Sequence, residues 1–145
     1  MSVHSSGLQK NNTIDDSLMQ TSTNGYQLEE ACINIANLRL RTYIGFNPEE
    51  IAKQQDVVIN ASVWHRADQA SLSDDENHAL NYKIITKALI DHVENGRFRL
   101  LEKLCRDLLD IIMSDHQVRR ATIRIDKPHA LRFADSVSVS LSANR

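Results

Sequence analysis

Apolar residues alternate with polar ones along several stretches of the chain and recur at helical spacing along two others. From Ala31 onward, Ile33 and Ile35 share one parity, while Leu38, Leu40, Thr42 and Ile44 share the other. Alternation assigns each set of side chains to one face of a strand, so the slip at Ala36-Asn37 predicts a bulge in one long strand. Gly45 to Glu50, which includes Pro48, reads as a connection. A second strand is predicted from about Asp56 to Ala67, with Val57, Ile59, Ala61 and Val63 on one face. A polar loop, DQASLSDDENHALN, follows.

The period then changes. Ile84, Ile85, Ala88, Leu89 and Val93 fall on a helix, and Asn95-Gly96 supplies its stop. In a second helix Leu101, Leu104, Cys105, Leu108 and Ile112 form one stripe, with Leu100, Leu109 and Ile111 beside it. Strands near Ala121 to Asp126 and Ser136 to Ser142 close the chain. The order ββααββ predicts an α+β fold: an antiparallel four-stranded sheet with two helices on one face. So small a sheet leaves edges and one face in need of partners, and oligomerisation is the expected remedy. Residues 1–30 are rich in Ser, Thr, Asn, Gln and Asp, without period or a continuous apolar centre. They read as a disordered polar leader and not a signal peptide, ahead of a single domain over 31–145.

Composition narrows the function. Of the 145 residues 41% are hydrophobic and 25% charged, with a net charge of −2, so any anion site must be a local cluster. A non-specific nucleic-acid binder would be far more basic. Two cysteines, Cys32 and Cys105, stand outside any CxxC pair, which suits a reducing, cytoplasmic compartment, and no apolar run is long enough to cross a membrane. GxGxxG, P-loop and GxSxG motifs are absent, and the histidines form neither HxH nor HExxH. No cofactor, no metal, no membrane and no nucleic-acid partner are therefore expected.

The stretch IRIDKPHALRFADSVSVSL, residues 123 to 141, is the unusual one. It begins and ends as a strand, yet its connection holds Lys127, Pro128, His129 and Arg132 in place of tight-turn residues. Glu50, Tyr82, Glu102, Lys127 and His129 are the candidate functional residues. Each has a plain alternative taken singly: a helix-dipole charge for Glu102, a core edge for Tyr82, a solvated charge for Lys127 or Glu50.

Together with the segments YIGFNPEEIAKQQDVVIN, ALNYKIITKAL and FRLLEKLCRDLLD, this stretch makes the chain resemble the dihydroneopterin aldolase family from about Ile33 to Leu141. NLRLRTYIG, HVENGRFRLLEKL and DKPHALRFADSVS place the resemblance in the family's epimerase branch, which acts on dihydroneopterin triphosphate. Arg39, Arg41 and Ser136 depart from the usual aldolase pattern, as does Asn81 where a histidine often stands. The resemblance implies the tunnelling fold (T-fold), with four sheets closed into a ring, rings stacked into an octamer, and sites between subunits. It also implies residue roles. Glu102, helped by a backbone N–H near Leu101, anchors the pterin ring. Tyr82 and the Leu80-Asn81 backbone come from a neighbouring subunit. Lys127 is the acid–base group, Glu50 lies near the substrate side chain, and Gln55 is close to the same pocket.

His129, Arg132 and Arg41 would then meet a phosphate chain. Partial burial and a neighbouring Arg132 would ease deprotonation of a lysine base. The implied reaction is retro-aldol cleavage and re-addition that inverts C2′ of the pterin side chain. Two alternatives stay open: an aldolase that releases 6-hydroxymethyl-7,8-dihydropterin and glycolaldehyde, and a pterin-binding ring without turnover.

Overall fold

The structure is a computed structural model that describes residues 25–145. Most of the expected leader lies outside those residues. Gly25 to Glu30 are exposed and carry no regular element. By their contacts residues 25–30 group with Ala67–Ala79, and the other described residues form the larger unit. Within Ala67–Ala79 lie a short helix, Asp68–Ser73, and a 3-10 turn, Glu76–His78, that Asp75 caps through Asn77 N–H.

In the larger unit the chain runs β1 (Ala31–Ile44), α1 (Pro48–Ala52), β2 (Gln55–His65), α2 (Tyr82–Glu94), β3 (Arg97–Phe98), α3 (Leu101–Met113), β4 (Val118–Pro128) and β5 (Ser136–Asn144). The sheet order is β3-β1-β2-β4-β5. The four long strands are antiparallel, and β3 adds only a parallel two-residue latch, pairing Tyr43 with Arg97 and Ile44 with Phe98. The α+β sheet with two helices on one face is therefore as read from the period, with β3 and α1 as additions.

The predicted slip is a real bulge. Ile35 pairs with Ala61 and Leu38 with Ile59, leaving one extra residue on β1. Asn37 takes a left-handed φ of 54° there, a conformation asparagine tolerates, and its N–H donates to Asn60 Oδ1 at 2.9 Å. As a result Ile33, Ile35, Leu38 and Leu40 all turn toward the core.

The helices lie on that face because their stripes match it. Ile85, Leu89 and Val93 of α2 are buried, as are Leu101, Leu104, Cys105, Leu108, Leu109 and Ile112 of α3. Burying a side chain such as Leu108 contributes about 1.5–3 kcal/mol. Two of the apolar residues placed on or beside the helical stripes are not buried: Ile84 is 67% exposed and Leu100 50% exposed. Ile84 sits in the first turn of α2 and Leu100 caps α3, where the angular position no longer faces a partner strand. Thr42, fully buried, donates to the Val93 carbonyl at 2.6 Å and so ties β1 to the end of α2. Burial pushes the Cys105 thiol up to about 11, which makes it an inert core group.

The other sheet face is polar. Ser62 donates to Asn34 at 2.7 Å, and Thr122 and Ser142 share a hydrogen bond of 2.9 Å. Among the described residues, β1 up to Thr42 pairs on one side only, as does β5. No helix among them is long and apolar enough to cross a membrane.

Candidate active site

The residues read as a connection after β1 form the first part of the site. Asn47 caps α1, its Oδ1 accepting from Glu50 N–H at 2.9 Å, and Pro48 opens the helix where no N–H is needed. Asparagine, proline and two glutamates in sequence are a helix-start signature, and that signal could have revealed α1 in advance. Before it, Gly45 adopts φ 127°, and its N–H donates to the Phe98 carbonyl at 2.9 Å. The turn is thereby pinned to β3, and one helical turn carries Glu50 back across the end of the sheet.

Lys127 arrives from the opposite direction. On β4 it shares parity with Ile123 and Ile125, so it points to the helix side, one residue before the strand ends. Its Nζ donates to Glu50 Oε2 at 2.5 Å. Gln55, at the start of β2, donates from Nε2 to the same Oε2 at 3.2 Å and to the Ile44 carbonyl at 2.6 Å. The two charged side chains are only 12% and 19% exposed, so the pair is largely sheltered from water and poorly screened. The hydrogen bond from Lys127 holds the Glu50 carboxyl below its usual range. Burial opposes this, and Gln55, the Lys127 charge and the Asn47 backbone reinforce it. The pair can hold or pass a proton at two adjacent atoms.

The remaining predicted residues are spread around this pair. Tyr82 begins α2 and is half exposed. Asn81 caps that helix, its Oδ1 accepting from Ile84 N–H at 3.2 Å. Glu102 stands exposed in the first turn of α3, after the buried Leu101. Its carboxylate has no hydrogen-bond or ion-pair partner among the described residues. His129, at φ 68°, and Arg132 lie on the exposed β4–β5 loop, where Arg132 sits 5.4 Å over the ring of Phe133.

Two expectations need correction. Arg41 is not beside Lys127. Leu40 pairs with Val57 on the core face, so Arg41 faces the opposite side of the sheet, where it bonds Asp56 at 2.6 Å and the Gln54 carbonyl at 3.0 Å. And the charge that contacts Lys127 is the Glu50 carboxylate, not the Arg132 guanidinium. The alternation of Leu38, Leu40, Thr42 and Ile44 already sets Arg39 and Arg41 on the opposite face of β1, a consequence that the phosphate reading of Arg41 did not take into account.

The chain matches the model of the dihydroneopterin aldolase (FolB) family. The family model matches residues 33–142, and the chain belongs to that family. Over 115 residues it is 56% identical to the dihydroneopterin triphosphate 2′-epimerase of Escherichia coli, an overlap of 79% of this chain and 96% of that protein. The dihydroneopterin triphosphate 2′-epimerase of Pseudomonas aeruginosa is 50% identical over the same share of the chain and 94% of its own length. Among solved structures, Escherichia coli dihydroneopterin aldolase in complex with neopterin superimposes with a TM-score of 0.75 at 25% identity, covering 79% of this chain and 99% of that one.

Proposed function

We propose that the chain inverts C2′ of the side chain of 7,8-dihydroneopterin triphosphate, giving 7,8-dihydromonapterin triphosphate in pteridine biosynthesis. The observation that carries this reading is the 56% identity, over 79% of this chain and 96% of its relative, to a protein named for that reaction. The Glu50–Lys127 pair supplies the chemistry.

In this reading Glu102 receives the two-donor edge of the pterin ring, its amino group and adjacent N–H, bidentately. The Leu101 N–H, one of the unpaired donors at the start of α3, adds a third contact. The Lys127–Glu50 pair takes the proton of the 2′-hydroxyl. The C1′–C2′ electrons move into the C=N of the dihydropterin ring, whose nitrogen takes up the proton that the pair hands over, leaving an enamine and an aldehyde that carries the phosphates. The aldehyde turns over, the enamine carbon re-adds to its other face as the ring nitrogen gives its proton back to the pair, and the pair passes that proton to the new alkoxide. An aldolase outcome differs in one step: the enamine is protonated and the aldehyde departs. Incubation with dihydroneopterin and with its triphosphate, followed by chiral analysis, tests the reading. Monapterin-type product is expected. Hydroxymethyl-dihydropterin alone would assign an aldolase, and binding without any product a non-catalytic ring.

The reading extends to assembly. Tyr82 and Asn81, both exposed and neither bonded to the pair, are assigned to the site of a neighbouring copy. The two sheet edges left unpaired by β1 and β5 suit edge-to-edge joining of copies. Sedimentation is expected to give a tetramer or octamer, and a clean monomer at micromolar concentration would remove both the ring and the shared site.

The phosphates fall to the β4–β5 loop, with Arg132 and His129 as their partners. Arginine suits this role because its planar fork binds two oxygens at once. Arg132→Ala is expected to weaken only the phosphorylated substrate, by roughly 1.5–3 kcal/mol for a lost bond to a charged group. Because the loop is exposed, the preference for triphosphate should shrink as salt rises. Equal weakening of both substrates would show that Arg132 does not contact phosphate.

A further inference from the structure

The structure assigns Gly45 a role in the reaction: it is a positioning residue, and the space left by its missing side chain is the space that the Glu50 carboxylate occupies. This inference rests on the role proposed above for the Glu50–Lys127 pair. A Cβ built on Gly45 would fall on Glu50 Cδ and on both carboxylate oxygens, well inside the 3.0 Å that real Cβ atoms respect. The neighbours leave Glu50 little room to withdraw. Its Oε2 is held by Lys127 at 2.5 Å and by Gln55 at 3.2 Å, and its backbone N–H is held by the Asn47 cap.

The Gly45 backbone is equally fixed. Its N–H is bonded to Phe98, and the carbonyl just before it, that of Ile44, is bonded to Gln55 at 2.6 Å. Gln55 therefore ties the backbone of the turn and the carboxylate it carries into one closed arrangement. With the turn unable to retreat, any side chain at position 45 must displace the carboxylate. Displacing it separates Glu50 from Lys127, and the proton-handling unit no longer exists.

A second requirement acts at the same residue and must be separated from the first. At φ 127° an L-residue is strained whatever space surrounds it. Strain costs stability in any background. Exclusion of the carboxylate costs turnover, and only while Glu50 is present. A double-variant cycle on the full-length protein distinguishes the two.

Gly45→Ala is expected to lower kcat by about 100-fold, the scale of a misplaced catalytic group, with KM for the pterin little changed because Glu102 is carried by α3 and not by the turn. Glu50→Ala should lower kcat to a similar extent, and the double variant should fall no further than Glu50→Ala alone. The pH profile of kcat should shift in the same direction in Gly45→Ala and in Glu50→Ala, since both leave Lys127 without its carboxylate. Losses that multiply in the double variant, or a fully active Gly45→Ala beside an inactive Glu50→Ala, overturn the inference and leave the proposed function standing. A fully active Glu50→Ala removes the proposed role of the pair itself, and this inference with it. If Gly45→Ala folds but is too unstable to assay for turnover, the cycle is read on thermal stability, and if it does not fold at all, it is read on whether shortening Glu50 restores folding. The cost of the alanine must then shrink once Glu50 is shortened, and an equal cost in both backgrounds overturns the inference.

Discussion

Lys127→Ala abolishes turnover of both dihydroneopterin and its triphosphate and leaves pterin binding largely intact. That is the expected result if the Lys127–Glu50 pair moves the 2′-hydroxyl proton. A positioned acid–base group contributes about 10²–10⁴-fold to rate, and its loss spares a pterin ring held by Glu102 at another element. The same variant strands a carboxylate that is only 19% exposed. In the intact protein Glu50 is held below its usual value, chiefly by the Lys127 hydrogen bond. A depressed carboxylate contributes stability that is present above its unfolded pKa and is lost as pH falls through its folded one. The intact pair should therefore hold at neutral pH and fail only in acid, below the ordinary glutamate value of 4.5. Without Lys127 the largest influence that lowers Glu50 is gone, and the acid transition moves to higher pH. Single-turnover rates, equilibrium binding of a non-reactive pterin and acid unfolding curves measure the three effects. Retained turnover would assign the proton step to another group.

Glu102→Ala is expected to lose pterin affinity by about 2–5 kcal/mol, the range for truncating one partner of a buried charge-assisted pair. The carboxylate is exposed in a single chain, so the large value depends on a pterin and a neighbouring copy covering it. If Glu102 serves only the α3 dipole, the variant costs about 0.3–1 kcal/mol of stability and binding persists. Titration of a non-reactive pterin into the folded variant, alongside a denaturant curve, separates these outcomes.

What could be read in advance depended on the range of the interaction. The bulge at Asn37 was legible because parity is a local property, and the helix stripes were legible because their period spans only a few turns. Ile84 and Leu100 misled for the same reason: period gives an angle around the helix but not whether a strand lies opposite. Helix α1 was hidden by its length, although Asn47 and Pro48 announced it. The meeting of Glu50 and Lys127 spans 77 positions of sequence and leaves no periodic trace. Only the family resemblance brought them together beforehand, and it could not place Arg41 on the far face of the sheet.

The extra residue on β1 also bears on how this strand can change in length. Ile33 and Ile35 precede it in phase, and Leu38 and Leu40 resume that phase after it. Removing one residue at Ala36-Asn37 would leave an ordinary strand whose apolar side chains still face inward. Removing one between Leu38 and Thr42 would instead put the two parts of the strand out of phase and turn polar side chains toward the core. A one-residue deletion within β1 is thus best accommodated at the bulge, half a strand away from the turn that carries Glu50.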